Sequence, residues 1–154
     1  MNDSDDSVEP LQSLPPGMAW RYAEYMPADP DAVFSPVTNV GGYDDLLEYF
    51  QARGLNLPRS EDGLAAIDEL INATSDKESL ADLARPIGMF YGDVITHTIP
   101  GAHWEVIREE YPRVRITTKS AVDVVRVALG RLSAAEPTLL QNYFHVREAV
   151  EKSG

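Results

Sequence analysis

With 154 residues, a formal charge of −12 and no cysteine, the chain has room for one hydrophobic core and none for disulfides, thiol nucleophiles or Cys-based metal sites. A charged fraction of 25% and a hydrophobic fraction of 44% are those of a soluble globular protein, and no apolar run is long enough to span a bilayer. The carboxylate excess is repelled by phosphate backbones and anionic lipid, so nucleic acid and membranes are poor partners; the functional reading is a basic protein partner or mimicry of nucleic acid, and the competing reading is solubility alone. The Met1 end is acidic, without the basic and apolar regions of a secretory signal, so a cytoplasmic location is expected.

Residues 1–40 read as an acidic, proline-rich arm. Six of the eleven prolines lie between Met1 and Asn39, with Asp3, Asp5, Asp6 and Glu9. The first ten or so residues hold too little apolar area to offset ordering entropy, so the arm is expected to be flexible and partly disordered. Met18 to Met26 differs. Its Trp20, Tyr22 and Tyr25 are expected to dock, either on the chain's own domain or on a partner.

The domain proper, 41–152, opens at Gly41-Gly42. Leu46, Leu47 and Phe50 make one face of a short helix that Gly54 ends as a left-handed C-cap. Ser60 stands at the N-cap of a second helix, with Glu61 and Asp62 at its positive end and Leu64, Ile67, Leu70 and Ile71 at helical spacing. A third helix is expected from Pro86 to about His97, since proline suits a first turn. Ile87, Phe90, Tyr91, Val94 and Ile95 make it apolar over a wide arc, which implies a central position. Gly88 and Gly92 share one ridge of it. Each costs roughly 1 kcal/mol against alanine there, which close approach of a neighbouring backbone would offset.

Pro100-Gly101 breaks that helix. His103–Ile107 and Arg113–Thr117 then alternate as two strands of a hairpin, with Trp104 and Val106 on one face and Val114 and Ile116 on the facing one. A hairpin is marginal alone, so this face is expected to lie on the helices. From Lys119 the period reads as helical again, with Thr118 or Ser120 as cap and Val122, Val125, Leu129 and Leu132 on one face. Glu136-Pro137 starts a last helix carrying Leu140, Phe144 (or Tyr143) and Val150.

Few residues point to chemistry. His97, His103 and His145 are the three histidines, and Asp93 shares a helix face with His97, but their spacing matches no zincin motif. Gly-x-Ser-x-Gly and P-loop patterns are absent, so no catalytic residue, metal site or cofactor is assigned. Arg113 and Arg115 project from the hairpin face opposite Val114 and Ile116; they read either as surface ion pairs or as an anion site. The tentative binding set is therefore Trp20, Tyr22, Tyr25, Arg113 and Arg115. An alternative is a small hydrolase using Asp93, His97, His103 and Glu105 around the Pro-Gly turn.

The stretches Gly88–Ile95, Thr98–Trp104, Pro112–Ile116 and Val122–Val125 together resemble a family of small uncharacterised bacterial proteins, a domain of unknown function. The shared pattern is a G-x-x-x-G-x-V-I helix, a Pro-Gly or Gly-Gly turn, and a tryptophan opening a hairpin. The resemblance runs from about Leu46 to Ala149 and is specific between Ile87 and Val125. It implies an α+β fold and structural roles for Gly88, Gly92, Pro100, Gly101, Trp104 and Asp123, and it carries over no catalytic residue. The fold expected is α+β: about five helices on a two- or three-stranded antiparallel sheet, behind a flexible N-terminal arm. The function expected is a non-catalytic acidic module, adaptor- or immunity-like, that binds protein.

Overall fold

The computed structural model of the protein describes residues 10–14, 37–106 and 111–153. In chain order these form α1 (Asp44–Gln51), α2 (Glu61–Ala73), a 3-10 helix (Lys77–Leu83), α3 (Ala84–Thr98), β1 (His103–Glu105), β2 (Arg113–Arg115), β3 (Ala121–Val122), α4 (Val124–Ser133) and α5 (Leu139–Ser153). The strands make one antiparallel sheet in the order β1-β2-β3. The described residues are thus α+β, five α-helices with a small antiparallel sheet.

Helix α3 is the axis of the fold. Every residue from Ile87 to Thr96 is buried, which is why its sequence is apolar nearly all round. Pro86 sits in its first turn, where its missing N–H is no loss. A Cβ on Gly88 would stand 2.7 Å from the Cα of Val125 and 2.9 Å from the carbonyl oxygen of Val124, so α4 crosses α3 with its backbone against that glycine. A Cβ on Gly92 would stand 2.2 Å from the indole of Trp104. One glycine admits a helix, the other a side chain.

The sheet lies on α3 by its inner face. Trp104, Val114 and Val122 stand side by side across the three strands and are all buried. His103, Glu105, Arg113, Arg115 and Ala121 alternate onto the outer face. Gly101, at φ +87°, makes the turn from α3 into β1.

Several elements differ from the sequence expectation: β2 ends at Arg115 rather than Thr117, and α3 begins at Ala84 rather than Pro86. Val122 belongs to a third strand, and α4 begins only at Val124, with Asp123 rather than Thr118 or Ser120 at its N-cap. The reason is the tight turn in which Ile116 N and Thr117 N both donate to Ser120 O, which sends the chain back along β2 before any helix can start. The buried face of α4 is Val124, Val125, Ala128 and Arg131, while Leu129 is exposed. The last helix starts at Leu139, past Pro137. There Thr138 and Gln141 form a reciprocal capping pair: Thr138 N donates to Gln141 Oε1 at 2.8 Å and Gln141 N to Thr138 Oγ1 at 3.0 Å. Tyr143, not Phe144, is its core aromatic. Ser60 does occupy the N-cap of α2, but its side chain makes no capping bond.

Residues 37–41 run along α3 and β1. Val37 O accepts from Trp104 N at 2.7 Å, and Thr38 O accepts from the Thr96 hydroxyl at 2.6 Å. Residues 10–14 lie against this segment, Gln12 bonding Thr38 and Asn39 through both backbone and side chain. Trp20, Tyr22 and Tyr25 fall outside the described residues.

Candidate functional site

Asp93 sits in the middle of α3 with no exposed surface, a costly place for a carboxylate unless its oxygens are satisfied. Oδ1 accepts from Trp104 Nε1 at 2.9 Å, and the amides of Gly41 (3.2 Å) and Val40 (3.4 Å) point at the same group. Gly41 and Gly42 both adopt positive φ, which wraps the chain around the carboxylate. Tyr43 lies beside it. Burial, then the Asp93 charge, push the Tyr43 phenol well above its ordinary value, with Arg59 acting the other way. Arg59 in turn donates to Asn39, itself buried. This polar hub joins residues 37–43, α3 and β1, with the Asp93 carboxylate itself fully buried.

A second buried cluster joins α2, α4 and α5. Arg131 Nε donates to Asp68 Oδ1 at 2.9 Å, with the two side chains 1% and 9% exposed. The remaining guanidinium donors reach Asp68 O, Asn72 and Ala134 O. Asp68 also accepts from Leu139 N at 2.9 Å and Leu140 N at 3.0 Å, so it caps the first turn of α5 from a distant helix. Neither Asp68 nor Arg131 stands out in the sequence as a site residue. The available signal is a charge placed on each helix's apolar face: Asp68 beside Ile67 and Ile71, Arg131 three residues after Ala128.

On the outer sheet face Glu105 bridges both arginines. Arg113 Nε and Arg115 Nη2 each donate to Oε1 at 2.7 Å, and Arg115 Nε to Oε2 at 3.3 Å. Burial works against the Glu105 charge, but hydrogen bonds and charge from Arg115 and Arg113 outweigh it and hold the carboxyl below its ordinary value of 4.5. Of the two readings of these arginines, ion pairing is what the geometry shows.

Asp93, His97, His103 and Glu105 face different ways. Trp104 brings Asp93 to the inner side of β1, while His103 and Glu105 point from the outer side. His97 Nδ1 lies 2.6 Å from the Asp93 carbonyl and His103 Nδ1 3.0 Å from the Gly101 carbonyl; a carbonyl only accepts, so each Nδ1 carries the proton. Among the described residues no group of three His, Asp or Glu side chains is placed to hold a metal ion. No helix there is long and apolar enough to cross a membrane.

A sequence model for a family of unknown function, DUF6278, matches residues 37–149. The chain belongs to that family. The resemblance to a domain of unknown function read from the sequence is thereby established at family level. The DUF6278 match begins at Val37, whose carbonyl bonds β1, and takes in the sheet, α1 to α4 and most of α5. No curated protein and no solved structure matches the chain significantly.

Among the described residues of the DUF6278 core, an accessible concavity lies beside β3. It is an open groove of about 350 Å³ between β3 and α5. Val122, Val127, Val146 and Ala149 give it an aliphatic lining, and Asn142 and His145 border it. Asn142 Oδ1 accepts from the hydroxyl of the buried Tyr91. Burial, assisted by Tyr143 and Asp68, raises the Tyr91 phenol far above its ordinary value, so that donor stays protonated.

Proposed function

We propose that the protein is a non-catalytic, cytoplasmic interaction module, adaptor- or immunity-like in class, that recognises a basic protein partner. The observation that carries this reading is where the charge lies. The ionisable side chains of the interior, Asp68, Asp93 and Arg131, are engaged by structural donors and acceptors. The acid excess is left on the outside. Asp44, Asp45 and Glu48 of α1 and Asp76, Glu78 and Asp82 at the 3-10 helix are exposed, and none of them pairs with a cation among the described residues. A further −6 of the −12 belongs to residues 1–36, where Asp3, Asp5, Asp6, Glu9, Glu24, Asp29 and Asp31 outnumber Arg21. Such a charge speeds encounter with a cationic surface and slows it with an anionic one.

The test is capture of partners by the full chain from its native host, followed by binding of the purified partner at rising ionic strength. The expected result is a partner with a basic face whose association rate falls steeply between low and physiological salt. A partner without a basic surface, or an association rate indifferent to salt, overturns the reading.

A further inference from the structure

The two edges of the sheet are not equivalent. In an antiparallel ladder, residues alternate between pointing N–H and C=O at the neighbouring strand and pointing both away from it. Ile116 N donates to Ser120 O, and the register pairs Val114 with Val122 and Arg115 with Ala121. Ser120 and Val122 therefore turn their main-chain groups toward β2, and Ala121 turns both of its own outward. The same alternation, carried across β2, leaves Trp104 pointing outward at the β1 edge, and there its N–H is taken by Val37 O at 2.7 Å. At the β3 edge nothing among the described residues takes the outward N–H and C=O of Ala121. A two-residue edge is by itself a common guard against aggregation. What distinguishes this one is the aliphatic groove beside it, lined by β3 itself and by Val127, Val146 and Ala149.

We infer that the β3 edge is a strand-addition site, which takes an extended peptide segment of a basic protein as a fourth strand. A peptide residue opposite Ala121 exchanges both main-chain hydrogen bonds with it. Its two neighbours then point to the inner side, so an apolar side chain enters the groove on Val122, Val127 and Ala149. The charge of the occupant follows from the rim. Asp123 is the one carboxylate lining the groove, its side chain is 43% exposed, and its only ion pair among the described residues is a 3.4 Å contact to Arg126, itself 72% exposed. A Lys or Arg on the peptide competes easily with so loose a contact. A second copy of the chain is the wrong occupant, because each copy carries −12. This inference rests on the proposed interaction role and narrows it to one edge of the sheet and one backbone conformation.

The experiment selects peptides from a phage-displayed random dodecamer library on the immobilised full chain, with counter-selection on Ala149→Phe, which fills the groove. Enriched peptides are expected to carry an apolar-x-apolar core flanked by Lys or Arg. A synthetic copy, titrated into isotope-labelled full chain, is expected to shift the amide resonances of Ala121, Val122 and the Asn142–Ala149 stretch. N-methylation of the central residue x, and separately Ala149→Phe, should each weaken binding at least tenfold. Ala121→Pro removes the outward N–H alone and should do the same; circular dichroism on both variants confirms that they fold. Selected peptides that bind with equal affinity after N-methylation and on Ala149→Phe overturn the edge site while leaving a salt-sensitive acidic surface standing. No enrichment over the counter-selected surface, or self-association of the chain that broadens the Ala121 resonance without peptide, also overturns it.

Discussion

Replacing Trp104 removes the side chain on which the sheet and α3 depend most. It is 1% exposed, its indole stands where a Cβ on Gly92 would be, and its Nε1 donates to the buried Asp93 at 2.9 Å. Trp104→Ala deletes a large core aromatic, worth about 3–5 kcal/mol. It also takes the indole donor from Asp93, which keeps the bonds from Gly41 N at 3.2 Å and Val40 N at 3.4 Å and its contact with the Tyr43 phenol. A lost hydrogen bond to a charged group costs about 1.5–3 kcal/mol, part of it already counted in the deletion. The expected total is roughly 5 kcal/mol, enough to bring a domain of ordinary stability to the edge of unfolding. Trp104→Phe separates the two effects, because it keeps one ring and loses the donor; its expected cost is about 2–3 kcal/mol. In a double-mutant cycle, Trp104→Phe and Asp93→Asn should couple by on the order of 1 kcal/mol. The assay is urea unfolding followed by far-UV circular dichroism, since Trp20 would confuse a fluorescence signal. Trp104→Ala within about 0.5 kcal/mol of the parent would refute the reasoning. So would a phenylalanine variant as unstable as the alanine one.

Gly88→Ala and Gly130→Ala make a matched pair. Helix propensity favours alanine at both, yet the Gly88 Cβ meets the α4 backbone at 2.7 Å and the Gly130 Cβ meets nothing within 4 Å. The first should destabilise by about 1–3 kcal/mol and the second stabilise by about 0.5–1 kcal/mol in the same urea titration. Equal signs would show that α4 does not press on Gly88. Arg131→Met should cost about 3–5 kcal/mol, because it leaves Asp68 a buried charge with only amide partners, and thermal melts should show α2, α4 and α5 unfolding together. For pH, the folded Glu105 carboxyl lies below its ordinary 4.5, so the unfolded chain takes up its proton first as pH falls. Its stabilising contribution is present above 4.5 and disappears as pH drops through the folded value. The melting-temperature gap between parent and Glu105→Gln should therefore be constant at neutral pH and close in acid; a gap that widens in acid would contradict the sign.

The α+β class, the helices and the hairpin are legible in the chain because they rest on local periods. The apolar arc around Ile87–Ile95 reads as a buried helix, and Val114 and Ile116 alternating with Arg113 and Arg115 read as a strand. Gly88, Gly92 and Trp104 are conspicuous for the same reason. Each is the wrong size or cost for its place unless something specific lies against it. What lies there is not legible, because the partners are remote in sequence. Asp93 finds Gly41 across 52 residues, and Asp68 finds Arg131 across 63. A carboxylate on an apolar face reads equally as catalytic or structural until its donors are known, which is how Asp93 enters the hydrolase reading and Asp68 goes unremarked. The third strand fails for a different reason. Ala121-Val122 is too short to show a period of its own, and helical spacing continues through it into α4. Only the turn at Ser120 and the pairing with β2 make it a strand. That pairing also decides which main-chain groups face outward and so where the sheet stays open. Local sequence determined the elements, since a residue's own neighbours set its backbone preference. The tertiary structure alone decided which charges are buried and which edge is left without a partner among the described residues, since both depend on what the rest of the chain brings beside them.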